Sequence, residues 1–248
     1  MISVCMATYN GGRFIKQQID SIMSQLSSND ELIISDDGST DSTLDIIASY
    51  NDARIKVFQH KKQEESGMYK NFRYATANFE NALQKVKGDY IFFADQDDVW
   101  IQNKVAHCIE LLQKYDCVVH NNEQIDENGN GLFVSWSKTP IHKTLLMNVL
   151  DNHFRGCCMA FKSELLKIVL PIPKKIIGHD YWIGTLACHY GNVFYEMTPL
   201  IQSRRYTESV SAKRRTSILY KIKFRMDLLF ALIKRISQIE KKGGKYNA

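Results

Sequence analysis

The chain has 248 residues, 44% of them hydrophobic and 24% charged, which provides a sizeable core for one large α/β domain, with or without an appendage. Its six cysteines (Cys5, Cys108, Cys117, Cys157, Cys158, Cys188) form no C-x-x-C pair and no zinc spacing, and most lie in apolar runs where a reduced thiol packs as a small hydrophobe. The net charge of +5 is uneven: residues 213–248 hold eleven Lys or Arg against Asp227 and Glu240, so that stretch is +9 and the rest −4, which points to an anionic surface met by the C-terminal stretch alone.

Met1–Cys5 begins directly as a strand, without a basic n-region or a small-residue cleavage site, so no secretory signal is expected and the protein is expected in the reducing cytosol. Ile2–Ala7 reads as a strand, and Phe14, Ile15, Ile19, Ile22, Met23 and Leu26 recur at helical spacing after the turn Asn10-Gly11-Gly12. Glu31–Ser35 returns as a strand, and Asp36-Asp37-Gly38-Ser39-Thr40-Asp41 turns into a helix that runs to about Tyr50. Strands over Arg54–Phe58, Asp89–Ala94 and Cys117–His120 then alternate with helices over Asn71–Lys87 and Ile101–Tyr115. This β-α alternation predicts a mainly parallel sheet flanked by helices. Ligands in such sheets sit beyond the carboxyl ends of the strands, and Thr8-Tyr9-Asn10, Asp36-Asp37 and Asp95–Asp98 all fall there.

Residues 121–153 are less regular. A strand is expected over Phe154–Lys162, a break at Leu170-Pro171-Ile172-Pro173 and a helix over Asp180–Tyr190, a half that covers the sheet and walls the cleft. In residues 218–239, Ile218, Ile222, Met226, Leu229, Ile233 and Ile236 recur three or four apart among Lys and Arg. That is a basic amphipathic helix, too interrupted by charge to span a bilayer and suited to lie on an anionic membrane face; packing on the domain explains the same stripe.

The stretch Tyr90-Ile91-Phe92-Phe93-Ala94-Asp95-Gln96-Asp97-Asp98-Val99-Trp100 runs from an apolar strand straight into three carboxylates. Carboxylate oxygens suit Mg²⁺ or Mn²⁺, and such ions are completed by substrate phosphates and water, so the motif predicts a metal shared with a phosphorylated substrate. An acidic turn capping the helix after Ile101 is the alternative.

Three ordered blocks, Ser3–Gly11 (SVCMATYNG), Glu31–Asp41 (ELIISDDGSTD) and Asp89–Trp100, resemble the signature of glycosyltransferase family 2. The resemblance covers residues 2–212, as nucleotide-sugar-binding (1–120) and acceptor-binding (121–212) halves, and leaves 213–248 outside it. It implies a GT-A-like fold, a nucleoside-diphosphate sugar donor, a divalent cation and inversion at the anomeric carbon. By the resemblance, Ala7 and Tyr9 flank the nucleoside, Asp37 accepts the imide N–H of uracil or thymine, Asp95 faces the ribose or diphosphate, and Asp97 ligates the metal. Asp36 is expected to be structural. Asn71 matches a polar position near the donor, where helix capping explains it as well.

The catalytic base is expected at Asp180 in His179-Asp180-Tyr181-Trp182, with His179 and Trp182 on the acceptor side; a helix N-cap is the competing explanation of Asp180. Arg204-Arg205-Tyr206 resembles a block in which the family has a histidine at the position of Tyr206, which leaves Arg204 and Arg205 to hold the pyrophosphate. Gly156 resembles the small residue that admits an acceptor, Cys157 and Cys158 read as packing residues, and of the remaining histidines only His120 faces the crevice. The implied enzyme moves a sugar from a UDP- or dTDP-linked donor to a glycan or lipid-linked glycan acceptor in bacterial surface polysaccharide synthesis, peripherally at the inner face of the cell membrane, with no nucleic-acid partner expected. A nucleotidyltransferase on a similar sheet and a non-catalytic sugar-nucleotide or polyanion binder stand as alternatives.

Overall fold

A computed structural model describes residues 1–61, 70–135, 144–206 and 218–241. Its first half contains β1 (Ile2–Thr8), α1 (Ile15–Met23), β2 (Glu31–Asp36), α2 (Thr43–Ala48), β3 (Ile55–Gln59), α3 (Lys70–Leu83), β4 (Tyr90–Asp95), β5 (Val99–Trp100) and α4 (Lys104–Leu112). The second half contains β6 (Cys117–Ile125), β7 (Gly131–Ser135), α5 (Leu145–Leu150), β8 (Met159–Lys162), α6 (Leu166–Val169), α7 (His179–Tyr190), β9 (Val193–Arg204) and α8 (Ile218–Lys241).

The described strands form one sheet in the order β3-β2-β1-β4-β8-β6-β9-β5, with β7 paired to the far half of β6. β3, β2, β1 and β4 are mutually parallel. Their sequences account for this: Val4, Cys5, Met6, Leu32, Ile33, Ile34, Ile91, Phe92 and Phe93 are fully buried in near-continuous apolar runs, the composition of strands covered on both faces. Ile15, Ile19 and Ile22 of α1 and Phe79, Ala82 and Leu83 of α3 are buried in the same core. Buried Glu31 is accommodated because Lys56 Nζ and Ser3 Oγ both donate to its carboxylate at 2.6 Å.

Beyond β4 the simple alternation ends. β8 inserts between β4 and β6 and pairs with both antiparallel, while β6 and β9 run parallel. The strand expected over 154–162 begins only at Met159, because Gly156–Cys158 forms a 3₁₀ turn closed by Cys158 N–H to Arg155 C=O at 3.0 Å. The strand expected over Cys117–His120 continues to Ile125, and the irregular stretch after it contains hairpin strand β7 and helix α5. β9 was not expected: Glu196, Thr198 and Pro199 break its apolar alternation, and the ladder shifts register where Pro199 meets Asn121, a position where a residue without N–H is tolerated. The end of β9 meets β5 through Val99–Gln202 and Trp100–Ile201, so this long strand carries Arg204 back to the acidic loop.

α8 buries Leu228 and Leu232 in the common core, packs Phe224 against Tyr181 at 5.6 Å, and donates from Arg235 to the carbonyls of Leu170 and Pro171. Its other side leaves Ile218, Ile222, Met226, Phe230 and Ile233 exposed. The boundary expected at 212/213 lies outside the described residues. Among the described residues, no helix is long and apolar enough to cross a membrane.

Candidate active site

Three loops leave the carboxyl ends of β1, β2 and β4 side by side, and the side chains within them are bonded mainly to one another. Buried Asp36 accepts from Gly38 N–H (2.9 Å), Ser39 N–H (2.8 Å), the Ser39 hydroxyl (2.5 Å) and the Thr8 hydroxyl (2.9 Å). Asn10, Gly11 and Gly12 N–H donate to Ser39 Oγ, Thr43 Oγ1 and Asp41 Oδ2, which ties the β1 loop to the β2 loop. Gln96 bridges to the third loop, accepting from Tyr9 N–H at 2.9 Å and donating to Tyr9 C=O at 3.2 Å. Gly11 permits that bridge, since a Cβ there would lie 2.5 Å from Gln96 Oε1.

Each expected site residue has a definite place in this frame. Ala7 is the penultimate residue of β1, and Tyr9 stands in the loop after the strand, 49% exposed. Asp37 is buried beside a cavity of about 520 Å³ lined also by Ser39, Leu44, Gln59 and His60. His60 Nδ1 lies 2.6 Å from Asp37 Oδ1, a partner that histidine spacing in the sequence does not reveal. Asn71 is exposed in the first turn of α3. The amide of Asn78, two turns on, reaches Thr8 C=O at 3.2 Å instead.

The carboxylates of the acidic loop are crowded. Asp95 is pushed up to about 7 by withdrawal from water and then by the charges of Asp97 and Asp180. Asp98, fully enclosed, is raised well above the carboxylate range by burial and by Asp97 and Asp95, and Asp97 is raised by burial, opposed by the Tyr206 hydroxyl that donates to its Oδ2 at 2.7 Å. Asp98 Oδ1 accepts from Arg204 N–H at 3.0 Å, whereas its buried Oδ2 has no hydrogen-bond partner among the described residues.

Asp95, Asp98 and Cys157 bring one ligand atom each within 4.8 Å of one another, with Asp97 adjoining Asp95. The orphaned Asp98 oxygen and the mutual repulsion of the acids fit a hard divalent cation held by carboxylates. The Cys157 thiol is raised well above its ordinary value, first by its hydrogen bond with Cys158 and then by burial, and it hydrogen-bonds to Asp95. Buried Lys104, bonded to Cys157 C=O at 3.0 Å and lying over the Trp100 ring at 4.2 Å, adds a positive charge beneath this turn.

Asp180 lies in the first turn of α7, close enough to Asp95 for its charge to raise that residue's pKa. Its own is pushed up to about 6 by burial, partly offset by the N–H groups of Tyr181 (2.9 Å) and Gly156 (3.2 Å).

Other expected site residues are packed among protein groups. His179 is buried between Phe79 (4.0 Å) and Phe93 (4.9 Å), is pushed down to about 3 by desolvation, and packs its Nε2 against Gly156, where a Cβ would lie 2.6 Å away. Gly156 is therefore small because of that imidazole, with no acceptor needed to explain it. Trp182 is fully buried and donates to Val169 C=O at 2.8 Å, so it is core and does not face an acceptor.

Arg204 is likewise committed to protein partners. It donates to the carbonyls of Asp97, Asp126 and Glu127 and to Gln17 Oε1, and lies over Phe14 at 4.6 Å. It braces the acidic loop and has little donor capacity left for a pyrophosphate. Arg205 follows it, half-buried, with its N–H on Ile125 C=O. His120 is buried at a second cavity of about 250 Å³, which adjoins Arg155 and Tyr181 and is lined by Asn121, Asn122 and Tyr195 as well. Sequence reasoning missed Gln17, Gln18, Gln96, Lys104 and His60, which carry no motif of their own; Gln18, for example, donates to Asp95 C=O at 2.7 Å.

Comparison with known proteins follows the same lines. The family model described as glycosyl transferase family 2 matches residues 3–169. The chain is 28% identical over 214 residues to an uncharacterized glycosyltransferase of Rickettsia typhi, covering 82% of this chain and 64% of that protein. It is 30% identical over 148 residues to the UDP-Glc:alpha-D-GlcNAc-diphosphoundecaprenol beta-1,3-glucosyltransferase WfgD of Escherichia coli, covering 58% of this chain and 55% of that one. Residues 1–349 of TarS from S. aureus, in complex with UDP-GlcNAc, superpose with a TM-score of 0.70 at 18% identity, over 94% of this chain and 66% of that one. The fold is thus of the GT-A type, and the chain spans less than two thirds of the length of the two relatives.

The carboxylate crowding has a measurable consequence. Asp95 and Asp180 ordinarily titrate at 3.8 and are raised in the folded chain, so they favour the fold fully below that value, and the contribution is lost as pH rises to about 7. In EDTA, Asp95→Asn is expected to melt above the wild type at about pH 7.5, with the margin closing by about pH 5. A margin independent of pH in thermal melts contradicts the crowding.

Proposed function

Because the chain belongs to glycosyl transferase family 2, we propose that it moves a sugar from a UDP- or dTDP-linked donor to a hydroxyl of a glycan or lipid-linked glycan, with inversion, during assembly of a bacterial surface polysaccharide. The observation that carries this reading is the meeting of two carboxylate groups with separate tasks. The Asp95–Asp98 cluster and Asp180 come from distant parts of the chain, and Asp180 is near enough for its charge to be felt at Asp95. WfgD and TarS, through the UDP-Glc and UDP-GlcNAc in their descriptions, support a uridine-type donor.

The donor's base enters between Tyr9 and the cavity at Asp37, where a carboxylate, an acceptor-only group, receives the imide N–H. Ala7 and Asn71 border the nucleoside, Asp95 faces the ribose and diphosphate, and Arg205 contacts the diphosphate while Arg204 holds the loop. Asp97, with its neighbours, would hold Mn²⁺ or Mg²⁺, which when bound offsets the charge growing on the departing diphosphate. Asp180 accepts the proton of the acceptor hydroxyl as that oxygen attacks the anomeric carbon from the face opposite the leaving group. Burial raises Asp180 to about 6, so it is largely ionised at neutral pH yet basic enough to take a proton.

The acceptor approaches from the side of α5 and α8. The exposed apolar residues of α8 are joined there by exposed Leu146, Met147 and Leu150 of α5, with Lys223 and Lys234 on the exposed surface of α8. This surface suits an anionic inner leaflet, where each Lys or Arg contributes about 1 kcal/mol, and would keep the enzyme beside a lipid-linked acceptor.

Asp180→Asn is expected to lower kcat by about 10²–10⁴-fold while UDP binding stays within about twofold, and the wild-type kcat/KM should rise with pH through about 6. Normal turnover of the variant, followed by release of nucleoside diphosphate, contradicts the assignment of the base. Liposome flotation is expected to require anionic lipid and to fail at high salt; binding indifferent to both removes the membrane partner.

A further inference from the structure

We propose that Tyr206 is a positioning residue for cation binding, one whose hydroxyl holds the Asp97 carboxylate in the orientation that receives the metal; this rests on the reading of Asp97 as a cation ligand. The phenol donates to Asp97 Oδ2 at 2.7 Å from a position 109 residues further along the chain. Asp97 lies between two anchored neighbours, since Gln96 is bonded to the backbone of Tyr9 and Asp98 Oδ1 accepts Arg204 N–H. Its own C=O accepts from Arg204 Nε at 3.0 Å. These bonds fix the loop backbone and leave the torsions of the Asp97 side chain to be set by what its carboxylate meets.

Tyr206 is placed to set them. Arg204 pairs with Ile125 at the end of the β6–β9 ladder, and Arg205 N–H donates to Ile125 C=O at 2.8 Å, which anchors the chain up to the residue before Tyr206. The Tyr206 ring packs on Phe14 with centroids 5.1 Å apart. Phe14 is itself buried at the entry to α1, with its N–H on Gly11 C=O at 3.0 Å and the Arg204 guanidinium over its ring. A phenol held in this way brings its O–H to a defined point. The hydroxyl has one hydrogen to donate, and a carboxylate has further lone pairs on both oxygens, so this contact and a metal–oxygen bond coexist on one side chain. A metal that meets a carboxylate already oriented does not bear the cost of ordering it, and hydrogen-bond partners behind ligating groups are worth about 10–100-fold in metal affinity.

The test is electron paramagnetic resonance of free Mn²⁺, titrated into the full chain with UDP, for wild type, Tyr206→Phe, Asp97→Ala and the double variant, with a thermal melt of each. Tyr206→Phe retains the ring against Phe14 and loses only the hydroxyl. It is expected to melt within about 4 °C of the wild type and to take up Mn²⁺ about tenfold or more less tightly. In the Asp97→Ala background the same change is expected to move uptake by less than about twofold, because a group that acts through Asp97 then has nothing to act on. Uptake unmoved or tightened in Tyr206→Phe, a loss of equal size in both backgrounds, or a much lower melting temperature of Tyr206→Phe overturns the proposal while leaving the cation site intact. A wild type that takes up no Mn²⁺, or an Asp97→Ala variant that takes it up as the wild type does, overturns the cation-site reading and this inference together.

Discussion

Mutual repulsion among carboxylates governs this molecule. Asp95, Asp97 and Asp98 fall within four consecutive positions, and Asp180 arrives from a distant part of the sequence to share their field. Partial withdrawal from water removes the screening that would let such charges coexist, so the acids hold protons more tightly; one oxygen of Asp98 has no partner among the described residues. A chain selected for stability alone has little reason to assemble such a cluster, whereas a site that receives a cation and a diphosphate does.

The surrounding structure holds that repulsion in place. Arg204, delivered by the last residues of β9, crosses beneath the acidic loop and bonds three carbonyls and Gln17. Gln96 locks the same loop to the β1 turn, and Gln18 holds the carbonyl of Asp95. Neutral amides and a largely engaged guanidinium fix the backbone, and Asp95, Asp97 and Asp98 remain raised. The surroundings of Asp180 are built by a similar economy, with neutral His179 packed on two phenylalanines and against Gly156, whose N–H donates to Asp180.

The legible part of the fold was the part made by local pattern. β1, β2 and β4 are continuous apolar runs ending in polar clusters, and both the parallel half-sheet and the crevice at its carboxyl ends follow from them. The second half resisted because its strands are set by partners distant in sequence: β9 contains Pro199 and takes its register from β6, and β8 is only four residues long. At the site, the acidic motif and Asp180 stood out as charges at element ends. His179, Trp182 and Gly156 are packed in the interior, which the sequence did not show, because a residue beside Asp180 in sequence need not face the same way. His60 and Lys104 could not be read because their meaning lies in a partner, Asp37 in one case and the Cys157 carbonyl in the other.

The central claim is that the acids at the end of β4 form a cation site that a donor diphosphate completes. Electron paramagnetic resonance of free Mn²⁺ tests it most directly, by titrating the metal into the chain with and without UDP. The account predicts that the chain takes up Mn²⁺ more tightly when UDP is present and that Asp97→Ala abolishes this gain while Asp180→Asn preserves it. Uptake unaffected by Asp97→Ala, or UDP binding equally well in EDTA, would contradict it.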